Sequence, residues 1–309
     1  AGFLPDALQI ADSVFDHNTA TQGDGGGLRS LGKSTIERTQ LSNNSASSGG
    51  GISGQGGPHA WTDIAISGNH AYAGGGVEMG GGSLTILRGR VDTNTASLDG
   101  GGFDMINPGY PLTLTDSTVF DNSAANGGGA WVDDKFTATA CAIYGNHATT
   151  AGGGIFAGVD VFQDGAALVE LNDTILDHNR AGTNGGGLYV DATAQARLHS
   201  STITANAARQ NYPSPGSGGG VYIDVGAIVI TVASVFAYNI DSALIAAPSD
   251  CSGTMTAGGY DFVGSNSGCT IIVGGTGNQI AGATKIDPKL SAFERLYDPA
   301  LPASPVCDR

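Results

Sequence analysis

Charged side chains that could do acid–base chemistry recur at one position of a repeating pattern. Six residues before each of five successive asparagines stand Asp12, Arg38, Asp63, Arg88 and Asp116. Glycoside hydrolases need two or three clustered carboxylates. β-helix lyases hold calcium with carboxylates on adjacent coils and use a basic residue. Here each carboxylate is followed by an arginine at the equivalent position, so the stripe predicts surface ion pairs. We assign no catalytic residue to it.

The histidines and cysteines do not suggest a metal centre either. His17 and His178 share one repeat position but are six repeats apart, and His70 and His147 share another, three repeats apart. With about 4.8 Å between adjacent coils, neither pair is close enough to bind one ion or to act together. None of the four cysteines forms a CxxC pair. The sequence therefore predicts no metal site, no cofactor and no enzymatic activity.

One position of the repeat carries large aromatic residues in four successive coils. The candidate binding residues, called the aromatic strip below, are Trp131, Phe156, Tyr189 and Tyr222. Each lies between two small or aliphatic residues, so alternation predicts that the rings point outward. Two interpretations stay open. The strip is a ladder that stabilises the sheet or covers an outer loop, or it binds sugar rings or another protein.

Two short motifs define the elements that would position these side chains. Gly-Gly-Gly recurs once per repeat, beginning at Gly25, Gly49, Gly74, Gly100, Gly127, Gly152, Gly185 and Gly218. Asn-x-Ala precedes each triplet, at Asn18, Asn44, Asn69, Asn94, Asn122, Asn146, Asn179 and Asn206. The steps between these asparagines are 24 to 33 residues. Repeats this short cannot bury a core alone, which predicts a solenoid of stacked coils.

The segments between the motifs alternate apolar and polar residues, as in Leu84-Thr85-Ile86, which predicts short half-buried strands. Two or three such strands per repeat, joined by Gly and Asn turns, predict an all-β parallel β-helix of about nine to ten coils. We expect asparagine and glycine to adopt positive φ at the corners. We also expect stacked asparagines to hydrogen-bond from coil to coil, with the alanine two residues later at a tight interior corner.

Composition restricts the partners. The net charge is −15 and lysine occurs only four times, so the surface repels phosphate backbones and we expect no nucleic-acid partner. No apolar run approaches 18 residues, and so we expect no membrane insertion by this segment.

Cys251 and Cys269 lie 18 residues apart in a Gly- and Ser-rich stretch, where we expect a disulfide and hence export. We expect Cys141, inside a repeat, to be buried and reduced.

The regular pattern weakens towards the C-terminus. We expect a β-helix domain over 1–275 and a Pro-rich C-terminal cap, or attachment and assembly tail, over 276–309. Two insertions interrupt the even coil length, at 158–165 and 209–217. Loops that leave a rigid scaffold commonly carry function.

The two motifs together resemble the repeat of bacterial polymorphic outer-membrane proteins, over roughly residues 8 to 240. Matching residues are Gly128-Gly129-Ala130, Gly75-Gly76-Val77, Gly153-Gly154-Ile155 and Phe15-Asp16-His17-Asn18. The remainder resembles the C-terminal part of a family of right-handed surface β-helix proteins with variable anchors. Its matching pieces are Ser249-Asp250-Cys251, Gly259–Gly264, Cys269, Asp287-Pro288 and Leu301–Pro305. Both resemblances imply a right-handed β-helix that is exported to a bacterial cell surface. Leu, Ile or Val often replaces the family's Phe.

The leading hypothesis is an exported cell-surface structural or adhesive β-helix protein that could extend to a filament or surface layer. Its partners would be other copies of itself or a cell-surface glycan or protein. The alternatives are a polysaccharide-active lyase or hydrolase and a carbohydrate-binding β-helix module. Three carboxylates in one groove would favour the enzyme, and contacts through the end coils would favour assembly.

Overall fold

The computed structural model describes residues 8–106, 109–158, 166–208, 216–241, 247–281 and 286–288. These residues form strands, turns and bends without a helix, and the strands stack in parallel register as a solenoid. The predicted parallel β-helix is therefore confirmed. Each coil visits four faces in turn, which we number 1 to 4 along the chain.

Each face is a ladder of parallel strands from successive coils. Face 1 contains Leu8–Ala11, Ser34–Glu37, His59–Thr62, Leu84–Leu87, Leu112–Thr115, Lys135–Thr139, Leu168–Asn172, Gln195–His199, Ile228–Val232, Cys251–Ala257 and Cys269–Val273. Face 2 contains Val14–Asp16, Gln40–Ser42, Ala65–Ser67, Arg90–Asp92, Thr118–Phe120, Ala142–Tyr144, Ile175–Asp177, Thr202–Thr204, Val235–Ala237, Phe262–Val263 and Gln279–Ile280.

The other two faces are shorter. Face 3 contains His70–Ala71, Thr95–Ala96, Ser123–Ala124, His147–Ala148, Arg180–Ala181, Ala207–Ala208 and Ile240–Asp241, and it ends in an antiparallel pairing with Ala247–Pro248. Face 4 contains Leu28–Ser30, Ile52–Gly54, Val77–Met79, Phe103–Met105, Ala130–Val132, Ile155–Ala157, Leu188–Val190 and Val221–Ile223. It joins face 1 through Cys251–Ala257, which pairs with strands of both.

Face 2 has eleven strands, so the described chain forms eleven coils rather than nine to ten. The extra turns come from the segment after 250, where the Asn-x-Ala and Gly-triplet motifs no longer occur. The last strand, Gln279–Ile280, lies within the part assigned to the tail. Apart from 276–281 and 286–288, the predicted tail lies outside the described residues. So do most of the two predicted insertions.

The asparagines do stack, but they do not adopt the positive φ that was expected of them. The residue before each asparagine does so instead: His17, Asn43, Gly68, Thr93, Asp121, Gly145, His178, Ala205 and Tyr238. A second corner with positive φ falls at Asp12, Arg38, Asp63, Arg88 and their counterparts, which are the charged stripe. The asparagine side chain is thereby turned inward, where it can bond to the neighbouring coils.

The inward asparagines form a continuous hydrogen-bonded ladder. In each rung the Nδ2 group donates to the Oδ1 of the asparagine in the next coil, as from Asn94 to Asn122 at 3.0 Å. Asn94 Nδ2 also donates to the Ile66 carbonyl of the preceding coil. The Oδ1 of Asn122 accepts the backbone N–H of Asn94 as well. Asn94 and Asn122 are fully buried. Buried amides with every hydrogen bond made hold adjacent coils in one register.

The Gly-Gly-Gly triplets serve two physical needs. The first glycine has positive φ in every triplet, as at Gly74 (61°). The second and third allow two coils to approach closely. A Cβ on Gly75 would lie 2.6 Å from the carbonyl oxygen of Gly101, and one on Gly76 would lie 3.1 Å from the Asn94 side chain. Only glycine fits where backbone meets backbone at such a distance.

The interior is a single apolar core along the whole solenoid. Columns of aliphatic residues run through it, such as Ile66, Val91, Val119 and Ile143 on face 2. The alanine of Asn-x-Ala is buried from Ala71 onward, which confirms the tight interior corner. Near the C-terminal end, Cys251 and Cys269 form the predicted disulfide, with their Cα atoms 5.5 Å apart. Cys141 is buried and forms no disulfide with another described residue, as expected.

Candidate functional site

The aromatic strip occupies the middle position of the strands of face 4. Register places Trp131 beside Phe156, Phe156 beside Tyr189, and Tyr189 beside Tyr222. The residues on either side of each ring point into the core, so the rings point outward as alternation predicted. The strip is not widely exposed, however. Trp131 is only 8% exposed, and the other three are half-buried.

The four rings stack on one another. Centroid distances are 6.4 Å for Trp131–Phe156, 4.6 Å for Phe156–Tyr189 and 5.0 Å for Tyr189–Tyr222, with interplanar angles of 10°, 5° and 16°. Such nearly parallel rings on adjacent coils cover each other's faces. A sugar ring binds an aromatic side chain through that same face. The geometry thus favours the interpretation of the strip as a ladder that stabilises the sheet.

Carboxylates lie beside the tyrosine end of the strip. Burial raises the pKa of Tyr189, and the negative charges of Asp224 and Asp191 raise it further. The Tyr189 hydroxyl also donates a hydrogen bond to Asp224. Burial also raises the pKa of Tyr222, and the negative charge of Asp224 raises it further. Both tyrosines therefore stay protonated at neutral pH.

The strip ends at a pair of buried carboxylates that sequence reasoning missed. Glu78 and Asp104 occupy the same column as the aromatic rings, two coils and one coil before Trp131, respectively. They are 5% and 2% exposed. The Ser53 hydroxyl donates to Glu78 Oε2 at 2.7 Å, whereas Asp104 Oδ1 has no hydrogen-bond partner within the described part of the chain. The repeat positions of Glu78 and Asp104 place them in this column, but the sequence pattern does not show that they are buried.

The two carboxyl groups favour their protonated forms. Burial is the main cause of the raised pKa of Asp104, followed by the charges of Asp99, Glu78 and Asp133. Burial likewise raises the pKa of Glu78, against the lowering effect of the Ser53 hydrogen bond. As in-register neighbours, the two residues have backbones about 4.8 Å apart along the sheet. Their burial keeps a polysaccharide from reaching them.

The charged stripe forms isolated pairs rather than one continuous ladder. Arg38 Nε donates to Asp12 at 2.7 Å, and Arg88 Nε donates to Asp63 at 2.7 Å. All four side chains are at least 40% exposed. Such pairs contribute little to stability and offer no catalytic geometry. Among the residues that the structure describes, no group of three or more His, Cys, Asp or Glu side chains could hold a metal ion.

A shallow groove lies on face 1, on the other side of the coil. Its volume is about 320 Å³, and it is lined by Glu170, Asn172, Arg197, Leu198, His199, Ile230 and Val232. Glu170 accepts from Lys135 at 2.7 Å and lies 3.5 Å from Arg197. Two cations around one carboxylate make this a basic patch on an acidic protein. The sequence pattern did not single it out, because its charges come from three different coils.

Comparison with protein families, with curated proteins and with solved structures finds no match to this chain. No helix in the described ranges is long and apolar enough to cross a membrane. The disulfide is consistent with an oxidising compartment, where such bonds persist.

Proposed function

We propose that this protein is an exported, non-enzymatic rod at a bacterial cell surface, with a structural or adhesive role. The asparagine ladder, unbroken from Asn18 to Asn239, is the observation that supports it best. Each coil is fixed to the next by buried side-chain bonds as well as by backbone ladders. Eleven coils then give a stiff rod about 50 Å long.

Export is supported by two further properties. The disulfide between Cys251 and Cys269 needs an oxidising compartment. The charge of −15 keeps the rod soluble and opposes nonspecific binding to anionic surfaces. The enzymatic alternative lacks comparable support, because Glu78 and Asp104, the carboxylates of neighbouring coils in the column of the aromatic strip, are buried.

Labelling of intact producing cells tests the location. A membrane-impermeant amine reagent should modify Lys135, whose side chain is 46% exposed, before the cells are lysed. A cytoplasmic protein in the same cells serves as the control. Labelling of Lys135 only after lysis would contradict the proposal. Adhesion is then measured directly, as retention on a target surface of beads coated with this protein compared with beads coated with albumin.

Carbohydrate binding is a second candidate, and the groove on face 1 favours it. Arg197, Asn172 and His199 can donate to sugar hydroxyls or carboxylates, while Ile230 and Val232 give an apolar floor. Calorimetry with neutral and uronate-containing polysaccharides tests it. Arg197→Ala should weaken binding to the acidic polymer at least tenfold, and Arg88→Ala, a matched loss of charge outside the groove, should not. Equal loss with both variants would mean nonspecific charge attraction.

A further inference from the structure

The outward side of face 1 carries a regular set of threonines in its second to sixth coils. Alternation turns the residues between them into the core, as with Ile36 and Ile86, both fully buried. The two outward positions of each strand then form two columns along the rod, called the threonine array below. One column contains Thr35, Ala60, Thr85, Thr113 and Thr137, and the other contains Glu37, Thr62, Leu87, Thr115 and Thr139.

The concentration of threonine is specific to this part of the rod. Seven of the ten positions in the array are threonine. In the next three coils the same two columns change to charged, polar and apolar residues, which are Glu170, Asn172, Arg197, His199, Ile230 and Val232. On face 2, the outward position that begins each of the first nine strands is threonine only at Thr118 and Thr202. A general preference of threonine for strands would have spread it over these positions too.

The hydroxyl groups of the array are available to a partner outside the chain. Thr85 is exposed, and the other six threonines are half-buried. The Thr137 hydroxyl donates to Glu170 at 3.4 Å, whereas the other six hydroxyls make no hydrogen bond to another residue that the structure describes. Each of them can donate one hydrogen bond and accept others. Because threonine is branched at Cβ, its χ1 is restricted, and so hydroxyl and methyl groups hold defined positions.

The array is almost free of charge in a protein of net charge −15. Glu37 is the one charged residue among the ten positions, and Arg38 pairs with it at 2.9 Å. The charged stripe borders the array, where Arg88 is paired with Asp63. A surface of hydroxyl and methyl groups has no charge with which to attract an ion. Its complement is an uncharged partner that offers hydrogen-bonding groups at a regular spacing.

The spacing of the array is close to that of water molecules in ice. In-register pairing places equivalent residues about 4.8 Å apart along the rod, and the two columns about 6.6 Å apart along the strands. Water molecules that make four tetrahedral hydrogen bonds of about 2.75 Å, as in hexagonal ice, repeat at about 4.5 Å and, at a right angle to this, at about 7.3 Å. Along the rod the difference reaches about 1.2 Å over the four steps of the array, which is less than half of one hydrogen bond.

We infer that the threonine array binds the surface of an ice crystal, with its hydroxyl groups in the positions of lattice water molecules and its methyl groups between them. The asparagine ladder and the restricted threonine rotamers form this surface before the ice is met, so binding orders little of the protein. The inference deepens the proposed adhesive function by naming the surface to which the rod adheres, and it rests on that function only for the location of the protein.

Incorporation of the purified full chain into slowly growing ice tests the inference. The wild type should be enriched in the ice at least tenfold over albumin, which growing ice excludes. Thr113→Tyr and Thr139→Tyr should each reduce the enrichment at least tenfold, because a phenol ring holds the neighbouring hydroxyls away from the ice. Thr202→Tyr is the matched control, since Thr202 is a half-buried outward threonine on face 2, and it should behave like the wild type. Urea denaturation checks that each variant is folded.

Completion of the two columns gives a test of opposite sign. Ala60→Thr together with Leu87→Thr adds hydroxyls at the two uncharged positions that lack them, and the enrichment in ice should rise at least twofold. Ala65→Thr, at an outward position of face 2, should not change it. A wild type that ice excludes like albumin, or equal effects of the variants on faces 1 and 2, overturns the inference.

Retention of the wild type on microcrystalline cellulose or chitin without enrichment in ice also overturns the inference, and assigns the array to a crystalline polysaccharide. All of these measurements use the purified chain, whereas the labelling of Lys135 on intact cells tests location. Failure of ice binding is therefore distinguishable from failure of the proposed function.

Discussion

Asn239 Nδ2 donates to Asp250 Oδ1 at 2.8 Å, and this contact ends the asparagine ladder. Every earlier rung requires a side chain that accepts from the coil before it and donates to the coil after it. Asp250 accepts the N–H and Nδ2 groups of Asn239 and then accepts the Ser265 N–H at 2.7 Å with its other oxygen. A carboxylate, which only accepts, therefore suits the position where the repeat stops.

The asparagine ladder predicts that substitutions at its buried rungs lower the free energy of unfolding more than a substitution at its exposed first rung. Asn122→Ala removes a buried side chain that donates to Asn146 and to the Val91 carbonyl, and it strands the donors of Asn94. With each unsatisfied buried group costing about 1–3 kcal/mol, we expect a loss of about 3 kcal/mol or more in the free energy of unfolding. Urea denaturation measures it. Asn18→Ala, at the exposed first rung, should cost under about 1 kcal/mol, and equal costs for the two variants would contradict the ladder's role.

The non-glycine residues with positive φ at the corners predict a second effect on stability. Ala233 has φ 52°, where a Cβ is unfavourable by about 1–2 kcal/mol. Ala233→Gly should therefore raise the melting temperature and the free energy of unfolding by about 1 kcal/mol. Ala60→Gly supplies the control, because Ala60 is exposed within a strand and glycine there should destabilise by about 0.5–1 kcal/mol. The same sign for both substitutions would argue against strain at residue 233.

The repeat could be predicted from sequence because its motifs recur in register. The Asn and Gly series predicted the solenoid and its stacked amides, alternation predicted the inward columns, and the spacing of Cys251 and Cys269 predicted the disulfide. The position of the positive φ could not be predicted, since His17, Thr93 and Ala205 share no side-chain property that marks a left-handed corner. The last strand, Gln279–Ile280, was not predicted, because strand pairing continues after the motif residues are lost.

The candidate site was predicted less well for a related reason. Alternation correctly placed Trp131, Phe156, Tyr189 and Tyr222 in one outward column. It could not tell how far the surrounding chain covers them, or that the rings would stack. Glu78 and Asp104 stand in the same column, and a comparison of neighbouring coils could have found them. Their burial, which decides their chemistry, depends on packing around face 4.

The stacked rings predict a measurable coupling energy. Replacing Phe156 and Tyr189 by Leu, singly and together, should give a coupling of about 0.5–1.5 kcal/mol in urea denaturation, because their rings are 4.6 Å apart. Trp131 and Tyr222 do not neighbour each other in the strip, and the same cycle on that pair should give a coupling near zero. A coupling near zero for Phe156 and Tyr189 would contradict the stabilising ladder and favour the interpretation of the aromatic strip as a binding site.

The buried carboxyl of Asp104 predicts a pH dependence of stability. Its pKa in the folded protein is raised well above the ordinary value of 3.8, chiefly by burial. A group whose pKa rises on folding binds its proton more tightly in the folded state. Its contribution to stability is therefore complete below the unfolded pKa and is lost as the pH rises through the folded pKa. At neutral pH the Asp104 carboxyl should therefore lower the free energy of unfolding of the wild type, and this effect should disappear in mild acid.

Asp104→Asn keeps the size of the side chain and removes the ionisable group. We expect this variant to unfold at higher urea concentration than the wild type at pH 7, and the difference to shrink as the pH falls towards 4. Asp173→Asn is the control, because Asp173 is an exposed aspartate at a corner with φ 48°, which asparagine tolerates. It controls for the loss of one negative charge from the surface. An Asp104→Asn variant that is less stable than the wild type at pH 7 would show that the ionised carboxylate has a partner that stabilises it.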